Sequence, residues 1–124
     1  MPLRKARIPQ VEHLEIWFGP GGHVDAALVG DLLARSDLPA LRRLGLRRAR
    51  FADDICRLLG SSPLAGQLTH LDLSGGRMTD EGAGALAAHR EAFARLAELD
   101  VSMTDLSPDG LERVAACAAE RVVV

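Results

Sequence analysis

His70, Asp72 and Ser74 stand two residues apart in the segment His70-Leu71-Asp72-Leu73-Ser74, and together they are the three residue types of a hydrolytic triad. In an extended strand alternate residues share a face, so all three would point the same way. Neighbours on that face are about 6.6 Å apart. A working triad needs a hydrogen-bonded chain with the histidine between nucleophile and acid, and an oxyanion hole beside it. One strand supplies neither, so hydrolysis is not expected, and His70 is expected to pair with Glu98 or Asp72 instead. The other reactive groups are equally scattered. His13, His23, His70 and His89 together with Cys56 and Cys117 show no zinc-ligand spacing. Gly75-Gly76 and Gly19-Pro20-Gly21-Gly22 lack the lysine and following hydroxyl of a nucleotide-phosphate loop. Neither catalytic residues nor a metal nor a cofactor are expected.

Arg42, Arg43, Arg47, Arg48 and Arg50 could in principle grip phosphates. Strand alternation divides them between a sheet face and a loop, the chain carries a net charge of −2, and only 3% of its residues are aromatic, too few for base stacking. Nucleic acid is not an expected partner.

The elements that must carry these residues follow from a repeated block, Leu-x-x-Leu-x-Leu-x-x-small-x-apolar. It occurs at Leu41-x-x-Leu44-x-Leu46-x-x-Ala49-x-Phe51, Leu68-x-x-Leu71-x-Leu73-x-x-Gly76-x-Met78 and Leu96-x-x-Leu99-x-Val101-x-x-Thr104-x-Leu106, at a nearly constant interval. A poorer copy, Val11-x-x-Leu14-x-Ile16, precedes Leu41 by a slightly longer one. A period of roughly 27 residues marks stacked units, each unable to bury its apolar face alone. Within a block, Leu71 and Leu73 around Asp72 have the period of two of a short strand. Helix signals follow. Thr79 is placed to cap a helix running through Ala83, Leu86 and Ala87, with Asp80 and Glu81 in its first turn. Ser107 and Pro108 open another, with Leu111, Val114, Ala115 and Ala118 as its inner stripe. Phe51, Ile55, Leu58 and Leu59 predict a short helix ending near Gly60, and Val24, Leu28 and Leu32 predict the first.

The chain therefore reads as α/β, a short right-handed βα arc of about four repeats with a parallel sheet on its concave face. Residues 1–124 are expected to form a single domain: 1–36 an irregular amino-terminal cap, in which Gly19-Pro20-Gly21-Gly22 replaces the strand-to-helix turn, 37–119 the regular repeats, and 120–124 a terminal edge strand. Cys56 and Cys117 fall in helical parts two repeats apart. At about 8 to 10 Å per packed helix they lie beyond disulfide reach, and both should be reduced.

The segment Leu71-Asp72-Leu73-Ser74-Gly75-Gly76-Arg77-Met78-Thr79-Asp80-Glu81-Gly82-Ala83-Gly84-Ala85-Leu86 resembles the leucine-rich repeats of the ribonuclease-inhibitor-like subclass, in a bacterial-type short form. The resemblance extends over roughly residues 38–119. It implies units of about 28 residues with a full helix, and a scaffold that presents a surface to other proteins. In that family an Asn or Cys stands where this chain has Ala49, Gly76 and Thr104, and forms a hydrogen-bonded ladder along the stack. This chain contains no Asn. The loop backbone is then left to water or to turn geometry, and the loops are expected to be looser than the family norm.

Positions between the buried ones should line the concave face: His13, Glu15 and Trp17; Arg43, Gly45 and Arg47; His70, Asp72 and Ser74; Glu98, Asp100 and Ser102. Equal positions on adjacent strands form rows, so Glu15, Gly45, Asp72 and Asp100 make a partly acidic track beside Arg43 and Arg47. Of Trp17 and Phe18, one should be exposed and the other buried. The expected function is a non-enzymatic protein-interaction module, an adaptor or subunit, binding a protein through His13, Glu15, Trp17, Arg43, Arg47, His70, Asp72, Glu98 and Asp100 or through its terminal edge. Two alternatives are a structural subunit that self-assembles through its ends and a regulator of a small GTPase, the latter by analogy of scaffold alone. The β-branched end Arg121-Val122-Val123-Val124 should form an open edge, covered by further sequence of a longer protein or by another chain, including a second copy.

Charge is unevenly spread. Residues 1–50 carry net +4 and residues 51–124 net −6, which in a linear stack becomes a dipole along its axis. No run approaches the roughly 18 apolar residues of a membrane helix, and Met1-Pro2-Leu3-Arg4-Lys5-Ala6-Arg7 lacks a signal-peptide core. A cytoplasmic location without membrane attachment is expected.

Overall fold

The computed structural model describes residues 11–18, 26–35 and 37–124. Strands and helices alternate through them: β1 (His13–Trp17), α1 (Ala26–Leu33), β2 (Arg43–Arg47), α2 (Ala52–Gly60), β3 (His70–Asp72), α3 (Asp80–Ala88), β4 (Glu98–Asp100), α4 (Pro108–Val114) and β5 (Arg121–Val123). The strands form one parallel sheet in the order β1-β2-β3-β4-β5, so each unit lies beside its sequence neighbour.

Leucine spacing sets this stack. The register aligns Leu14, Leu44, Leu71, Leu99 and Val122 across the sheet. Leu44, Leu71 and Leu99 are 2%, 2% and 0% exposed. They are rungs of one core between sheet and helices, each worth about 1.5–3 kcal/mol of burial. The helices close the other side. Ala52, Ile55, Cys56 and Leu59 recur at three and four residues on α2, and all are buried. Ala83 and Leu86 do the same on α3, and Val114 on α4. Phe93, in a short 3-10 turn at Arg90–Phe93 that follows α3 in the chain, joins the same core.

Two helix stripes differ from expectation. Among the described side chains of α1, Val29 and Leu33 are buried, while Leu32 is only partly buried. Val24, the Leu28 side chain and the Gly19–Gly22 turn lie outside what is described. On α4 the helix ends at Val114 and Ala115 is exposed, because the chain turns there towards β5. The predicted caps are in place: Thr79 Oγ1 accepts from the Glu81 amide at 3.3 Å, and Ser107 Oγ from the Gly110 amide at 3.3 Å. The α2 start has no side-chain cap; Phe51 there packs edge-on against Phe18 with ring centroids 5.3 Å apart.

The loops after the strands are tied more closely than the missing asparagine suggests, and turn geometry is the reason. Each reaches a left-handed residue at the same place: Arg48 (φ 63°), Gly75 (φ 71°) and Met103 (φ 54°). This bend lets loops bond to one another along the stack. The Arg48 amide donates to the Ser74 carbonyl at 3.0 Å and the Gly75 amide to the Ser102 carbonyl at 2.9 Å. Further along, the Arg77 amide donates to the Ala49 carbonyl at 3.0 Å and the Asp105 amide to the Met78 carbonyl at 2.9 Å.

A second ladder joins the helix starts. Asp53 accepts from the Thr79 amide (2.8 Å), the Thr79 hydroxyl (2.6 Å) and the Gly82 amide (3.0 Å) of the next unit. Asp80 repeats this one unit on, accepting from the Ser107 amide at 3.0 Å and from the Ser107 hydroxyl. The approach is so close that a Cβ at Gly82 or Gly110 would overlap the carboxylate.

Candidate functional site

The face of the sheet turned away from the helices carries the residues between the leucine rungs. Its first row is His13, Arg43, His70, Glu98 and Arg121; its second is Glu15, Gly45, Asp72, Asp100 and Val123. Trp17 and Arg47 pair at the third position. All nine residues expected at the site therefore lie on one face. Ser74 does not join them. It is 2% exposed because the chain has begun to turn into the loop, and its hydroxyl accepts from Arg47 Nε at 3.1 Å. His70 stays on the face but is engaged apart from Ser74: its Nδ1 lies 2.9 Å from Thr69 Oγ1 and its Nε2 3.7 Å from Glu98. The triad residue types are thus engaged with separate partners.

Trp17 is the centre of a preassembled cluster. It is 54% exposed while Phe18 is 5% exposed, as strand alternation requires. The Arg47 guanidinium lies over its ring, 3.9 Å from the centroid, and its Nε1 donates to Glu15 Oε1 at 2.8 Å. Arg47 also reaches Glu15 at 3.3 Å and Asp72 at 3.5 Å. Glu15 can take this central place because residue 45 is glycine. A Cβ there would come 3.0 Å from Glu15 Cγ, so the side chain lies across β2 where a larger residue would displace it. Such stacking and ion pairing contributes about 0.5–1 kcal/mol at an exposed site, and it fixes rotamers before any partner arrives.

Beside this cluster a cleft of about 160 Å³ opens across β1 to β4. Its walls are His13, Glu15, Arg43, His70, Asp72, Glu98 and Asp100, and its floor is Leu44, Gly45 and Leu71. Asp72 and Asp100 are held alike, each accepting from the amide two residues on, Ser74 or Ser102, at 2.9 Å. Arg43 makes no ion pair with any described residue. Among the described residues no group of three or more His, Cys, Asp or Glu is placed to hold a metal ion, and no helix is long and apolar enough to cross a membrane. Sequence reasoning missed the bridging role of Glu15 and the hydroxyl of Thr69 that holds His70. The glycine in an otherwise acidic row was the available signal for the first.

The two cysteines are free and buried. Burial pushes both thiols up, and for Cys56 the nearby Asp53 charge adds to the effect. Neither belongs to the face.

With this geometry in view, the likeness to known proteins has a structural meaning. The leucine-rich-repeat family matches residues 68–87, the unit built from β3 and α3. A crystal structure of a Bacteroides fragilis protein, solved as a structural-genomics target, is similar with a TM-score of 0.82 at 24% identity, over 94% of this chain and 34% of that one. The chain thus spans about a third of the length of that protein. No curated protein matches the sequence. Leucine-rich-repeat domains generally mediate protein–protein interactions and are typically non-enzymatic. The aligned leucine rungs, the parallel five-stranded sheet with its helices and the structural neighbour together show an α/β solenoid fold of the leucine-rich-repeat type, with the repeat itself matched at residues 68–87.

Proposed function

We propose that this protein is a non-enzymatic interaction module, an adaptor or subunit, that docks a protein partner on the open face of its sheet. The residues assigned to contact are His13, Glu15, Trp17, Arg43, Arg47, His70, Asp72, Glu98 and Asp100. The observation that carries the reading is Trp17: a half-exposed tryptophan held by Glu15 and Arg47 at the border of a charged face. Tryptophan and arginine are the residue types most enriched at interface hot spots, and a side chain already fixed in place loses little entropy on binding. The two signs of charge in adjacent rows would select partners and speed encounter more than they would add affinity.

The test compares proteins captured from the source cells by the natural chain with those captured by Trp17→Ala and by Arg43→Glu. Loss of the same protein from both variants, with melting temperatures within a few degrees of the natural chain, is the expected result. Retention by both would move the docking site to the ends or the helices. A second reading, self-assembly through the ends, draws support from β5, which has a strand neighbour on one side only among the described residues. Light scattering across a concentration series separates the two, since a monomer at every concentration is incompatible with self-assembly.

A further inference from the structure

The cleft on the open face carries more specific information than the face as a whole. Given the docking reading above, on which the inference rests, it points to the chemistry of the docked group. Size comes first. At about 160 Å³ the cleft is well below the roughly 300–1,000 Å³ of small-molecule and cofactor sites, and matches a single side chain. Charge comes second. Glu15, Asp72, Glu98 and Asp100 face Arg43 across it, an excess of carboxylates over guanidinium. Arg47, outside the cleft, serves Glu15 and Asp72. At the β4 side, however, Glu98 has only His70, at 3.7 Å, and Asp100 only the Ser102 amide and hydroxyl, at 2.9 and 2.7 Å. That side holds two carboxylates; Arg121, the register neighbour of Glu98 on β5, stands next in the row but forms no ion pair with either, and no other lysine or arginine among the described residues does so. Shape comes third. Along the floor the Leu44 and Leu71 side chains are turned away into the core and Gly45 adds none, so the cleft bottoms on strand backbone and leaves the space above it open to an extended side chain.

From these three observations we infer that the cleft receives a lysine or arginine side chain from a basic segment of a protein partner. The cation sits over β3 and β4 between Asp72, Glu98 and Asp100, away from Arg43. A phosphate or carboxylate would gain Arg43 but would have to approach four carboxylates, so charge complementarity selects against it.

The experiment titrates the isotope-labelled full chain with three synthetic nonapeptides that differ only in a central Arg, Glu or Ala, and follows backbone amide resonances. The Arg peptide is expected to shift Leu71, Asp72 and Asp100, with the other two inert. In the double variant Glu98→Gln, Asp100→Asn its affinity should fall about tenfold, and salt should weaken it in the natural chain. Both substitutions keep an acceptor oxygen, and an unchanged melting temperature verifies the fold. If the Glu peptide shifts the same amides as strongly, the face still docks a partner but the cationic occupant is wrong. If the Arg peptide leaves the cleft amides unmoved, or the double variant binds it equally well, the inference is overturned, while the capture comparison decides the wider reading separately.

Discussion

Three residues occupy the same left-handed place in successive loops, and only one of them is glycine. Arg48 and Met103 have φ of 63° and 54°, where an L side chain costs about 1–2 kcal/mol, whereas Gly75 meets no such cost. Met103 is 77% exposed and contributes no buried contact. Met103→Gly should therefore stabilise the protein by up to about 1 kcal/mol, the relief of strain exceeding the entropy that glycine adds to the unfolded chain. Gly75→Ala should destabilise it by about 1 kcal/mol or more. Urea unfolding of both variants checks the pair, and a destabilised Met103→Gly would contradict the account. The cysteines supply a second expectation at this scale. Because burial and Asp53 hold the Cys56 thiol protonated, it should resist alkylation in the folded protein at neutral pH and react only on unfolding. Rapid native-state labelling of Cys56, read by mass spectrometry, would contradict it.

At the level of elements, neighbouring units are held by leucine rungs and by aspartates at the helix starts. Leu71→Ala should cost about 2–5 kcal/mol, because it opens a cavity between β3 and the helix layer. Asp53→Ala leaves the Thr79 and Gly82 amides without acceptors and should cost about 1–3 kcal/mol by chemical denaturation. The second aspartate also gives a pH signature. The hydroxyl and amide of Ser107 hold the Asp80 carboxyl below the usual carboxylate range. A depressed folded value means that the stabilisation is complete above the unfolded value of about 3.9. It declines as pH falls through that value and is gone once pH passes below the folded one. Asp80→Asn should flatten this acid limb of the stability curve while leaving the far-ultraviolet spectrum intact; an unchanged limb would exclude Asp80 as its source. In the sequence Asp80 looked like an ordinary acid of a helix first turn, and Asp53 carried no signal of its own. Nothing local showed that they reach across to the next unit, since that contact exists only when the units stack.

Across the whole molecule, sheet order equals sequence order, so the charge of the described residues, net +2 up to residue 50 and net −6 over residues 51–124, runs along the stack. Stability should propagate in the same direction, from neighbour to neighbour. Removing residues 120–124 strips β5 from β4 and leaves the Val101 amide, now bonded to the Val123 carbonyl at 2.9 Å, without its partner. The melting temperature should fall by several degrees, and hydrogen exchange should rise first at β4 and α4, with β2 and β3 least affected. Uniform loss of protection through every strand would show instead that the stack melts as one unit.

The near-constant interval between Leu41, Leu68 and Leu96 and the alternation of leucines were enough to set the strands, their parallel order, the buried rungs and which nine side chains share a face. These follow from spacing alone, because a strand's two faces and a helix's inner stripe are fixed by local geometry. Thr79 and Ser107 were legible as caps for the same reason. Other features depend on how the chain turns out of a strand or on contacts between one unit and the next, and only packing decides them. Ser74 is buried by the turn that follows β3, Glu15 crosses β2 because residue 45 has no side chain, and Asp53 and Asp80 become rungs of a second ladder. Periodicity says which way a side chain leaves its own backbone; where its polar atoms find partners is set by the neighbouring unit, whose distance and tilt no single repeat encodes.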